Sequence, residues 1–197
     1  MTRVTKYKLW YVVAFLALLG AVGSYLLVAR PNLGVVVALC IALLLPGRVQ
    51  GLLFRDLFRG RRALDRGDPK SALGHLNAFL ATVRAQPWRR WLLWLSWSFY
   101  TPNVEAMTMN NIGAARFNLD DIDAAEAAWR AALELDSLYP IPHANLALVA
   151  ATRNDSSEAS QHLETARELG YSGSGFDRIA HRAQSILANV ESHGPAV

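Results

Sequence analysis

NNIGAARFNLDDIDAAEAAWRAALELDS, residues 110–137, decides the fold. Apolar residues fall at helical spacing from Met109 to Phe117, the run Asn118 to Asp121 interrupts them, and a second helical stretch continues to about Asp136. Ala125 and Ala132 are small enough to let two antiparallel helices approach closely, and the Trp129 ring fills the space between them. The pattern then recurs. Asn111 and Asn145, Ile112 and Leu146, Asp121 and Asp155, Ala125 and Ala159, Ala132 and Ala166, and Leu135 and Leu169 are each 34 residues apart. The first copy runs from Ala106 to Tyr139 and the second from Pro140 to about Gly170.

Two helical hairpins rarely bury enough surface alone, so further helices are expected at both ends. Upstream, RALDRGDPKSALGHLNAFLATV (residues 62–83) has the same logic: a helix, a Gly67-Asp68 turn, and a helix with Ala72, Leu76, Phe79 and Leu80 on one face. Ala72 lies 53 residues before Ala125, one period plus an insertion of 19. Downstream, Phe176, Ile179, Ala180, Ala183, Ile186, Leu187 and Val190 are spaced as one more helix, expected to cap the last hairpin.

With Gly113 at the helix crossing, Asp121 in the turn, and Ala125, Trp129 and Ala132 on the packing faces, the stretch resembles the tetratricopeptide repeat (TPR) family. The resemblance implies 34-residue helical hairpins stacked into a curved solenoid. The second copy departs from the family pattern at His143, Ala147, Ser137 and Gly170. It further implies that the first helix of each hairpin lines a groove for a protein partner, here Met107, Asn110, Ala114, Phe117, Ile141 and Leu148. Most of the basic positions by which some members hold a peptide carboxylate are missing. The expected occupant is therefore an amphipathic helix, an apolar peptide or the chain's own terminal helix.

The amino-terminal part obeys a different solvent. Leu9 to Ala29 is 21 residues without a charge, about 31 Å as a helix, with Trp10 and Tyr11 near one end and Arg3, Lys6 and Lys8 outside it. A cleaved signal peptide is the competing reading, but the apolar run continues to Ala29 with no clear cleavage site. A second apolar run, Leu33 to Leu45, ends at Pro46-Gly47 and spans only if helix extends over about 31–47, with Arg30-Pro31-Asn32 as a tight turn. Basic residues before the first run and after the second place both ends on the cytoplasmic side of what reads as a bacterial inner membrane.

Charge divides the chain. Residues 1–100 hold 14 Lys+Arg against 3 Asp+Glu, and residues 101–197 hold 6 against 13. Because the arginines border apolar runs, the basic half is assigned to a lipid surface and not to nucleic acid. Arg55, Arg59, Arg61 and Arg62 are the expected headgroup contacts, joined by Trp88, Trp91, Trp94 and Trp97 on a short interfacial helix within the insertion. Those rings suit internal packing or a partner as well.

No catalytic or metal chemistry is expected. The five histidines and Cys40 show no ligand spacing, no glycine loop cradles phosphate, and the Asp120, Asp121, Asp123 cluster lacks a calcium-binding loop. The expected fold is all-α: a transmembrane hairpin (1–48), a juxtamembrane hairpin with its Trp-rich helix (49–102), two repeats (103–172), and a capping helix with tail (173–197). The expected role, without enzyme activity or cofactor, is a scaffold that recruits a protein to the membrane. A structural subunit of a membrane complex is the alternative.

Overall fold

The computed structural model describes residues 1–90 and 100–192. Among the described residues the regular structure is helical, and the long helices are α1 (Arg3–Ala29), α2 (Leu33–Leu53), α3 (Arg55–Asp65), α4 (Pro69–Ala85), α5 (Val104–Phe117), α6 (Ile122–Leu135), α7 (Pro140–Thr152), α8 (Ser156–Glu168) and α9 (Ser174–Ser192). The chain is all-α as its periodicity predicts. Of the Trp-rich stretch expected to form an interfacial helix, Trp91, Trp94 and Trp97 lie outside the described residues.

Helices α1 and α2 are each long and apolar enough to cross a membrane. Their apolar side chains face outward: Leu16, Leu27, Val28, Leu33, Ile41 and Leu44 are all exposed. Arg30 takes a left-handed conformation after α1, and the Asn32 side chain caps α2 by accepting a hydrogen bond from the Val35 N–H at 3.1 Å. Helix α2 is longer than the sequence predicts, because it continues through Pro46 and Gly47 to Leu53. Proline removes one backbone donor, and the ladder resumes beyond it, with the Phe54 N–H reaching the Gln50 carbonyl at 2.8 Å.

Three hairpins follow, α3–α4, α5–α6 and α7–α8, and each packs on the next through α4 against α5 and α6 against α7. The first helices also meet in turn, α3 with α5 and α5 with α7. One turn is used three times. Gly67, Asp120 and Asn154 have φ of 74°, 59° and 59°, and glycine, aspartate and asparagine are the residues that tolerate this left-handed region best. The next residue is an aspartate each time. Its N–H bonds back to Ala63, Arg116 or Ala150, and its carboxylate caps the second helix through Ser71, Ala124 or Glu158.

The helix crossings repeat as well. A Cβ on Gly60 would stand 2.7 Å from Leu76 Cγ, and one on Gly113 would stand 2.5 Å from Trp129 Nε1. Glycine at these points lets the second helix seat its large side chain against the backbone of the first. Ala72, Leu76, Phe79 and Leu80 are buried, as their spacing predicts, and form one core with Phe54, Leu57, Val104, Ile112 and Ala115. The upstream hairpin is therefore continuous with the repeats despite the insertion between them.

Candidate functional site

Helix α9 lies along α7 and fills much of the expected groove. Phe176 and Ala183 are buried, and Ile179, Ile186 and Leu187 pack among Phe117, Trp129, Leu146, Leu148 and Val149. Ile141 joins Ala144, Tyr171 and Phe176 in a neighbouring cluster. Met107 packs toward the α3–α4 hairpin. Asn110 is buried and already satisfied: its carbonyl accepts from Trp129 Nε1 at 3.0 Å and its Oδ1 from Asn145 Nδ2 at 2.9 Å.

What α9 leaves open is a cavity of about 360 Å³ between α5, α7 and α9. Ala114, Phe117 and Leu148, three of the six residues expected in the groove, form part of its floor with Trp129 and Ile179. Asn118, Asn145, Arg178 and Arg182 supply its polar wall. The guanidinium of Arg182 lies 5.0 Å from the Phe117 ring centroid and 3.5 Å from Asn118 Oδ1. Sequence periodicity identifies the floor but not the arginines, because nothing local to α9 tells which helix it will lie against.

At the other end of the hairpins the first turn of α1 docks on the loops. Arg3 makes a bidentate pair with Asp136, both bonds 2.7 Å, and donates to the Tyr100 carbonyl at 3.2 Å. The Thr101 hydroxyl donates to the same Asp136 carboxylate at 2.6 Å. Val4 is buried, and a Cβ on Gly170 would meet Thr2 and Val4 within 3.2 Å. Arg3, which the sequence offers as a topology signal, is thus a structural contact.

The expected headgroup residues Arg55, Arg59, Arg61 and Arg62 are all exposed on α3. The Arg61 charge also acts on the buried Tyr139 phenol, whose pKa burial raises far above its ordinary value. Trp88 is exposed, with the Arg89 guanidinium 5.5 Å from its ring centroid, and Arg89 donates to the Leu53 carbonyl at the end of α2.

The structure brings together two histidines that their spacing leaves apart. His143 Nδ1 on α7 and His162 Nδ1 on α8 are 3.4 Å apart, and His162 Nε2 lies 3.7 Å from Glu158. Burial lowers the pKa of both rings; His162 adds to the effect on His143, while Arg130 adds to that on His162 against the opposing carboxylates Glu158 and Glu126. The folded state therefore binds protons less readily than the unfolded chain, so these groups support stability above about pH 6.5 and withdraw that support as pH falls through their depressed values. Urea denaturation in detergent at pH 7.5 and at about pH 5.5 should show this loss, and His143→Gln with His162→Gln should flatten it. A slope unchanged by the double substitution would refute the assignment. Among the described residues, no three side chains of metal-ligating type gather into a site.

No family model matches the chain, and no curated protein matches it.

Proposed function

We propose that this chain is a membrane-anchored adaptor: α1 and α2 form a transmembrane hairpin, and three TPR-like hairpins hold a protein partner at the membrane surface. The observation that carries the reading is the placement of the two anchors. The first turn of α1 docks beside Tyr100, Asp136 and Gly170, and α2 runs directly through Phe54 into α3, so both apolar helices join the same helical domain. Phe54 is buried against Phe79 with ring centroids 5.2 Å apart, which fixes that second junction.

Helix α5 starts beside Thr101 at the docked end, and its 14 residues carry the chain about 21 Å away to Phe117. The cavity at Phe117 and Asn118 is therefore offset from the anchor and open to a soluble partner. The excess of basic residues in the first half supports a cytoplasmic domain resting on anionic headgroups through Arg55, Arg59 and Arg62.

Two measurements in cells test the reading. A compartment-specific reporter at Asn32 and another after Val197 should report opposite sides of the membrane. A photo-crosslinking side chain at Asn118 should capture a soluble protein, and one at Leu16 or Ile41 should capture lipid. Crosslinks to other membrane proteins from Leu16 and Ile41, with none from Asn118, would replace the adaptor with a structural subunit of a membrane complex.

A further inference from the structure

The second half of the chain holds 13 carboxylate residues and only six arginines, so a guanidinium there with no carboxylate partner, even one that lies over Phe117 and donates to Asn118 as Arg182 does, is a departure from the local balance. Arg116 pairs with Asp121 at 2.9 Å, Arg130 with Glu126 at 2.6 Å, and Arg153 with both Glu126 and Asp123. Arg167 lies over the Phe176 ring. The remaining two, Arg178 and Arg182, stand one helical turn apart on α9 and line the cavity, and neither has a carboxylate within 4.0 Å among the described residues.

Those two cations flank an apolar floor. Phe117 and Leu148 are almost fully buried, and Ala114 and Ile179 complete the surface below the guanidinium groups. The cavity volume, about 360 Å³, suits one large apolar side chain with its neighbours. The Asn118 and Asn145 amides line the same wall. Arg178 and Arg182 come from a helix outside the repeats, so this arrangement is independent of the residues the repeats themselves present.

We infer that the cavity between α5, α7 and α9 recognises an internal acidic segment of a protein partner, seating a large apolar side chain on Phe117 and Leu148 while flanking carboxylates pair with Arg178 and Arg182. Charge complementarity commits the occupant. A basic segment meets two like charges at the rim, and a purely apolar one partly desolvates both guanidinium groups while offering no carboxylate, leaving Arg182 with only the neutral Asn118 amide as acceptor. The inference rests on the adaptor reading and adds the chemistry of the ligand.

The test uses the full chain in detergent and fluorescein-labelled peptides blocked at both ends, so that no terminal charge contributes. The acidic probe carries Glu-Phe-Asp-Leu at its centre, the neutral probe Gln-Phe-Asn-Leu and the basic probe Lys-Phe-Arg-Leu. Fluorescence polarisation should show saturable binding of the acidic probe, weakened by added salt and at least about tenfold tighter than the neutral one. Arg178→Gln with Arg182→Gln should abolish the difference. Arg178→Glu, at an exposed position with no internal ion pair among the described residues, should move the preference toward the basic probe. Equal affinity for acidic and neutral probes, an unchanged preference in the double variant, or no binding by any probe overturns the inference. Crosslinking from Asn118 judges the adaptor reading separately: a soluble partner still captured by the double variant would leave the adaptor standing and remove only its acidic specificity.

Discussion

Trp129→Ala is expected to cost about 3–5 kcal/mol of stability, the range for emptying a large aromatic site in a packed core. The ring is 1% exposed, lies against Gly113, and packs 5.7 Å from the Phe117 ring centroid. Its Nε1–H holds the Asn110 carbonyl, and the Asn110 side chain holds Asn145 on α7, so truncation loosens the contact between two hairpins as well as the packing within one. Thermal unfolding followed by helical ellipticity measures the effect. A loss below about 1 kcal/mol would mean that the α5–α6 interface is not the centre of the domain. Gly113→Ala gives a second reading of the same contact. Its methyl meets the ring in the native chain but should be tolerated in the Trp129→Ala background, a coupling that a double-mutant cycle detects.

Asp136→Ala should destabilise the docking of α1 by about 3 kcal/mol, near the low end for breaking a buried ion pair because Arg3 keeps some contact with solvent. The Asp136 side chain is 8% exposed and accepts four hydrogen bonds, two from Arg3, one from the Thr101 hydroxyl and one from the Leu138 N–H. Among the described residues Arg3 Nε is buried without a hydrogen-bond partner and, once the carboxylate is lost, the guanidinium keeps only the Tyr100 carbonyl. Released from the domain, the first turn of α1 should expose Lys6 and Lys8 to trypsin sooner than in the native chain, while the helical domain stays folded. Cleavage at an unchanged rate would show that Val4 and Thr2 alone hold the turn. Replacing Arg3 and Asp136 together by alanine should cost less than the two single changes added, because no charge is then left buried alone.

Local chemistry made the hairpins legible. The Gly67-Asp68, Asp120-Asp121 and Asn154-Asp155 pairs carry a left-handed residue followed by an N-capping carboxylate, and both preferences act within a few residues of chain. The burial of Ala72, Leu76, Phe79 and Leu80 follows from helical period alone. The end of α2 was not legible in the same way. Proline and glycine at 46 and 47 are strong breakers in propensity, yet a helix already propagated on its amino-terminal side loses only one hydrogen bond at proline and continues to Leu53.

The candidate site was half legible. Ala114, Phe117 and Leu148 follow from the repeat, whereas Asn110 and Met107, chosen by the same rule, are absorbed into packing and hydrogen bonding between helices. By itself the sequence determined the helices, the period of 34, the division between apolar amino-terminal helices and a more polar remainder, and the opposite charge of the two halves, because each depends on residues close together in the chain or on composition. Only the tertiary structure decided that Arg3 meets Asp136 across 133 residues, that Arg182 meets Asn118 across 64, that His143 and His162 face one another, and that α9 lies in the groove and brings arginines to its cavity. Those pairings carry no period, since they are set by which apolar faces find each other when the hairpins stack, and that choice belongs to the packed chain as a whole.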